Sequence, residues 1–93
     1  MKQIILDFRN CKNALDMHKQ LSDTFDFPDY YGKNLSALWD LLSYHWYEEG
    51  SVVIAIVGTE KIPKEWKPYM EKILEVFQDV HEETPNVTFE IIS

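Results

Sequence analysis

Between Ser51 and Val57 the chain runs Val52-Val53-Ile54-Ala55-Ile56-Val57, six apolar residues in a row with five of them β-branched. The run is far too short to cross a bilayer, and it lacks the polar alternation of a strand with one wet face. It therefore predicts a strand over Ser51–Val57, buried on both faces. Two other segments also read as strands. Ile4-Ile5-Leu6 with Phe8 predicts a short strand over roughly 2–8, also with too little alternation for a wet face. Val87 to Ile92, after the breaker Thr84-Pro85-Asn86, predicts the last strand.

Helical patterns fill the intervals. Asn13 suits a helix cap with Asp16 three residues on, and Ala14, Met17, His18, Leu21 and Phe25 share one side of a helix over about 14–25. Asn34 caps a second helix over about 34–47, with Leu35, Leu38, Leu42 and Trp46 on its inner side and Glu48-Glu49-Gly50 closing it. Pro63 and Pro68 each suit a first helical turn. They predict a short helix and then a longer one over about 67–83 that buries Met70, Ile73, Leu74, Phe77 and Val80. Strand, helices, strand, helices, strand is the order of an α/β fold: a small three-stranded parallel sheet with about four helices, as one domain over 1–93.

The chain has 93 residues and a net charge of −7, and the excess is unevenly placed. Residues 1–33 balance five acids against five bases, residues 34–60 carry four acids with no Lys or Arg, and residues 61–93 carry seven acids against four bases. Such a surface repels nucleic acid and attracts basic proteins. The apolar start at Ile4-Ile5-Leu6 is broken by Asp7 and is too short for a signal-peptide core. A single cysteine, Cys11, fits a reducing compartment. Both point to the cytoplasm.

The stretch Pro28 to Ser43 gathers the residues suited to binding. Pro28-Asp29 and Gly32 break regular structure, and the helix that follows brings Ser36, Asp40, Ser43 and Tyr47 to its outer side, with Trp39 on the border. Asp40 is thus a solvent-side carboxylate between two small hydroxyl residues and among aromatic rings, open to a partner.

Signals for other chemistry are absent. No glycine-rich loop joins a strand to a helix, and Gly58 alone is not one. His18, His45 and His81 have no metal-ligand spacing. Asp40 and His45, five apart on one helix, point in different directions. Cys11 is expected to be a small, loosely packed residue rather than a nucleophile. His18, inside an apolar stripe, is expected to be a buried neutral imidazole bonded to backbone and tying down the nearby loop. Glu82 and Glu83 are expected to form a plain solvated face. Neither a cofactor nor an enzymatic activity is implied.

The segment Pro28-Asp29-Tyr30-Tyr31-Gly32-Lys33-Asn34-Leu35-Ser36-Ala37-Leu38-Trp39-Asp40 closely resembles the signature of the barstar family, small acidic inhibitors of secreted bacterial ribonucleases. Leu15 to His18 is similar to that family's first helix, and Glu75-Val76-Phe77-Gln78-Asp79 to its last. The resemblance covers essentially the whole chain and is weakest between about Glu48 and Tyr69. It implies an inhibitor that plugs the nuclease active site with the second helix and the loop before it. Asp40 matches the family's central aspartate, whose carboxylate takes the place of an RNA phosphate. Tyr30 would lie against the catalytic histidine, Gly32, Asn34, Trp39 and Ser43 would surround the contact, and Asp79 would stand in for a peripheral glutamate one methylene longer.

The resemblance also carries departures. Ser36 stands where the best-known family member has an aspartate, and Tyr44 where it has a glycine, so one contact charge is missing and a ring is added near the rim. That protein's paired cysteines are missing too. The implied function is inhibition of a guanyl-preferring ribonuclease of the barnase type by a chain that is a monomer when free. The alternative is an acidic immunity module for a different basic toxin or regulatory protein.

Overall fold

The computed structural model describes residues 2–29, 31–45 and 50–92, with the backbone alone for Tyr44 and His45. In chain order the elements are β1 (Lys2–Asp7), α1 (Ala14–Phe25), α2 (Leu35–His45), β2 (Val52–Val57), 3-10 turns at Thr59–Lys61 and Lys64–Trp66, α3 (Lys67–Glu83) and β3 (Val87–Ile92). The strands form one parallel sheet in the order β1-β2-β3. The expected α/β fold with a three-stranded parallel sheet is present, with three α-helices among the described residues instead of about four. The short helix expected after Pro63 is a single 3-10 turn that runs into α3. Pro63 itself keeps an extended ψ of 142°, and Pro68 already occupies the first turn of α3, so only one turn fits between them.

Local chemistry sets the helix ends. The Asn13 side chain accepts the Asp16 N–H at 2.9 Å while the Asp16 carboxylate accepts the Lys12 N–H at 3.0 Å, a reciprocal cap at the start of α1. At its end Asp26 turns left-handed (φ 54°), and the Phe27 N–H returns to the Ser22 carbonyl at 3.1 Å. The expected helix over 34–47 is α2 as far as His45; Trp46, Tyr47, Glu48 and Glu49 lie outside the described residues.

Sheet register decides which face is covered. Ile4, Ile54 and Phe89 form one cross-strand row and Leu6, Ile56 and Ile91 the next; Leu6, Ile54 and Ile56 are wholly buried. They join Met17, Leu21 and Phe25 of α1, Leu38 and Leu42 of α2, and Ile73, Phe77 and Val80 of α3 in one core cluster. The opposite face carries the row Ile5, Ala55, Glu90 and the row Asp7, Val57, Ile92, with Ile5 64% exposed. This corrects the expectation that β1 is buried: it is an edge strand with an open face. On β2, Val52, Ile54, Ala55 and Ile56 are buried but Val53 and Val57 only half so, which also falls short of two covered faces. The reason is topological. Consecutive right-handed crossovers along the order β1-β2-β3 bring every helix to the same side, leaving the other side without a layer.

Gly58 makes the turn after β2 possible. Its φ is 81°, and a Cβ there would lie 2.6 Å from the Arg9 backbone nitrogen and 2.9 Å from its Cα. Arg9 in turn grips Asp7 through three side-chain hydrogen bonds of 2.7–3.1 Å, which lowers the Asp7 carboxyl pKa below its ordinary value.

Candidate binding surface on α2 and the loop before it

The inner side of α2 is anchored by Leu38 and Leu42, both wholly buried, with Leu35, Ala37, Trp39 and Leu41 packed partly against the core. Burying each leucine is worth about 2 kcal/mol before entropic costs, so the helix cannot roll without losing them. α2 packs against α3, which holds the helix from behind. Its outer side then has one orientation, with Ser36 and Asp40 exposed and Ser43 half-buried.

The loop is built for a stiff entry into this helix. Asn34 accepts the Ala37 N–H at 2.8 Å through Oδ1 and donates from Nδ2 to the Gly32 carbonyl at 3.2 Å. Both ends of its side-chain amide are engaged at the loop–helix junction, so Asn34 shapes the surface as cap and brace. A Cβ at Gly32 would lie 3.2 Å from the Asn34 amide nitrogen, so a side chain there would press on this brace. The left-handed residue of this turn is Lys33 (φ 51°), not the glycine.

Beneath the loop lies His18, 1% exposed. Its Nδ1 is 2.6 Å from the Tyr31 hydroxyl and its Nε2 is 2.7 Å from the Tyr69 hydroxyl, so one imidazole joins α1, the loop and α3. The expected buried histidine is present, but its partners are tyrosines and not backbone. A neutral imidazole offers one donor and one acceptor, and a hydroxyl can satisfy either by rotating. Burial, reinforced by the Lys33 cation, lowers the His18 pKa below its ordinary value; burial likewise raises those of Tyr31 and Tyr69. Tyr31 is itself 6% exposed, stacked at a tilt on Phe27 with ring centroids 4.8 Å apart, and its N–H closes a turn onto the Pro28 carbonyl at 3.0 Å. No spacing in the sequence ties residue 18 to residues 31 and 69. The one available signal was chemical, since a buried imidazole must satisfy both nitrogens.

The expected contact residues separate into groups. Gly32, Asn34, Ser36 and Asp40 are exposed and lie on the loop and on α2. Trp39 is half-buried, as its border position implies, and Ser43 donates its hydroxyl to the Trp39 carbonyl at 2.7 Å, which withdraws that donor from the surface. Asp79 is exposed on α3, the helix packed behind α2. Tyr30 and the Tyr44 side chain lie outside the described residues. Asp40 is the only acid in α2, and among the described residues no side chain pairs with it.

Alternative chemistry finds little support in the geometry. Cys11 is buried in the core, and burial together with Asp16 and Asp7 pushes its thiol up to about 11, which keeps it protonated. Among the described residues no group of three His, Cys, Asp or Glu side chains could hold a metal ion, and no helix is long and apolar enough to cross a membrane. A cleft of about 510 Å³ lined by Ile5, Asp7, Arg9, Val57, Gly58, Glu60 and Lys61 includes no residue of α2 or its loop.

Fold and surface together define a small two-layer α/β protein whose sheet supports one outward helix and a braced loop. Its family is established by comparison: the model described as "Barstar (barnase inhibitor)" matches residues 1–92, and the chain belongs to the barstar family. It is also 39% identical over 83 residues to the Bacillus subtilis (strain 168) protein named "Putative ribonuclease inhibitor YrdF", a match covering 89% of each chain.

Proposed function

We propose that this protein inhibits a secreted, guanyl-preferring bacterial ribonuclease by laying α2 and the loop before it across the enzyme's active site. In this reading the Asp40 carboxylate occupies the place of an RNA phosphate. The observation that carries it is the state of Asp40, an exposed acid on a helix clamped from behind by Leu38 and Leu42, with no partner among the described residues. A carboxylate presents two acceptor oxygens that an arginine fork binds as it binds phosphate. Membership of the barstar family and the likeness to YrdF support a ribonuclease as the target.

The roles of the other residues follow. Gly32 and Asn34 set the loop's path, Trp39 supplies an apolar shoulder, and Asp79 adds a peripheral charge. Tyr30 would lie against the enzyme's catalytic histidine, and Tyr44 would add a ring near the rim. Ser36 is exposed and uncharged, so α2 offers a single acid, and the preferred enzyme should present its cations as one compact group around it. The acids of residues 34–60, unopposed by Lys or Arg, would attract a basic enzyme, an advantage that falls as salt rises. The protein acts by occupying a site and performs no turnover, and it works in the cytoplasm of the producing cell.

Assaying RNA cleavage by a panel of guanyl-preferring ribonucleases with and without the protein tests this reading. Stoichiometric inhibition of at least one enzyme, lost on Asp40→Ala, is expected. If no enzyme is inhibited and affinity capture with the wild-type protein recovers a non-nuclease partner that Asp40→Ala releases, the ribonuclease assignment is wrong and the immunity-module reading replaces it.

A further inference from the structure

The outer edge of β3 carries backbone groups that the rest of the described chain does not use. Val87 lies beside Val52, and the Val52 N–H donates to the Asn86 carbonyl at 2.9 Å. Successive residues of a strand turn their N–H and C=O groups to opposite sides. Residues 86, 88, 90 and 92 therefore bond toward β2, and Val87, Phe89 and Ile91 face away from it. Val87 is occupied, since its N–H donates to the Thr84 carbonyl at 2.9 Å and its carbonyl accepts from His81 Nδ1 at 2.7 Å. Phe89 and Ile91 are left with open donors and acceptors.

This edge lacks most of the devices that keep strands apart. It has no proline, lysine or arginine, and Ile91 and Ile92 are 50% and 48% exposed. Its one charge is Glu90, exposed between the two open residues.

A second copy of the chain, antiparallel about a twofold axis through residue 90, matches this edge group for group. Phe89 would exchange two hydrogen bonds with Ile91 of the second copy, and Ile91 two with Phe89. Thr88 would lie beside Ile92 of the second copy. Centring the axis on Phe89 instead sets Ile91 against Val87, whose groups are already engaged. The favourable register has one fault: it places Glu90 directly against Glu90 at a position without hydrogen bonds, where opposed residues come closest, with Cα atoms about 4.5 Å apart. Like charges so placed are destabilising.

We propose that the outer edge of β3 is a self-pairing edge for a second copy of this chain, and that Glu90 keeps it closed. Three measurements on the full chain test it. Glu90→Thr should sediment as a dimer at concentrations where the wild type is a monomer, since the substitution removes the repulsion and leaves a good strand residue. Mixing wild type with Glu90→Lys should give a heterodimer, because the opposed pair is then attractive. Glu90→Cys should form an intermolecular disulfide more than about tenfold faster than Thr88→Cys, because only residue 90 meets its own copy within disulfide reach. Both variants retain the buried, protonated Cys11, which cancels from the comparison.

A Glu90→Thr chain that stays monomeric, with Glu90→Cys no faster than Thr88→Cys, overturns the proposal. So does a wild type that dimerises as readily as Glu90→Thr. Ribonuclease binding is not read in any of these experiments, so their outcome is separate from that of the inhibitor assignment.

Discussion

His18 Nδ1 lies 2.6 Å from the Tyr31 hydroxyl, so the middle of α1 is tied directly to the loop that leads into α2. With Tyr69 on the other nitrogen at 2.7 Å, the imidazole fastens the support of the candidate surface from two sides. Asp40 and Ser36 are exposed, while the imidazole that ties the loop to α1 and α3 is buried.

Removing either hydroxyl leaves a buried imidazole nitrogen without a partner. Tyr31→Phe and Tyr69→Phe are each expected to lower unfolding free energy by about 1–3 kcal/mol, measured by urea denaturation. The double variant should cost less or more than the sum, since both hydroxyls share one ring. If the proposed function holds, Tyr31→Phe should also weaken inhibition, because Tyr31 lies in the loop.

Stability should depend on pH through the same residue. The folded-state pKa of His18 is lowered from 6.5, so the folded chain holds the imidazole neutral where the unfolded chain takes up a proton. The His18 contribution is full above pH about 6.5 and is lost as pH falls through the folded-state value. Denaturation midpoints measured downward from pH 7 should show this decline, and the component due to His18 should vanish in His18→Gln.

Asp40→Ala is expected to lower affinity for the target ribonuclease by at least about a hundredfold, the scale of leaving buried cations without their anion. Fold stability should change by less than about 0.5 kcal/mol, because the residue is exposed and unpartnered within the described chain. Calorimetric titration against the enzyme, paired with a thermal melt, separates the two effects.

Asn34→Ala removes the cap of α2 and the brace to Gly32 together. A loss of about 1 kcal/mol in stability is expected from the cap. Inhibition should weaken through slower association or faster release, even though the Asn34 amide is already engaged at the loop–helix junction. Stopped-flow binding distinguishes these.

Gly58→Ala should be the costliest single methyl in the chain. The left-handed φ alone costs about 1 kcal/mol, and the added carbon meets the Arg9 backbone, which has no flexible end to yield. A chemical melt should show a loss well above 1 kcal/mol, accompanied by displacement of the Asp7–Arg9 pair.

Much of this architecture is local chemistry and is legible along the chain. The expected bounds of α1 and β3 match the structure, and α3 spans Lys67–Glu83, because Asn13, Pro68 and Thr84-Pro85-Asn86 act on the backbone within a few residues. The outward placement of Asp40 also follows from helical angle alone. The run at Val52–Val57 made a buried strand legible, since a β-branched run without polar alternation suits little else; that β2 is the middle strand is a result of the tertiary structure.

Coverage of the sheet faces was decided by tertiary structure. Ile5 has the same apolar side chain as Ile4, yet it is 64% exposed because every crossover passes on the opposite side. The partners of His18 were decided there too, at separations of 13 and 51 residues that no local pattern encodes. The sequence by itself determined the strands, the long helices and the outward acid, for these depend on periodicity and caps. Only the tertiary structure decided which apolar face stays open and which hydroxyls hold the loop, for these depend on where the chain returns.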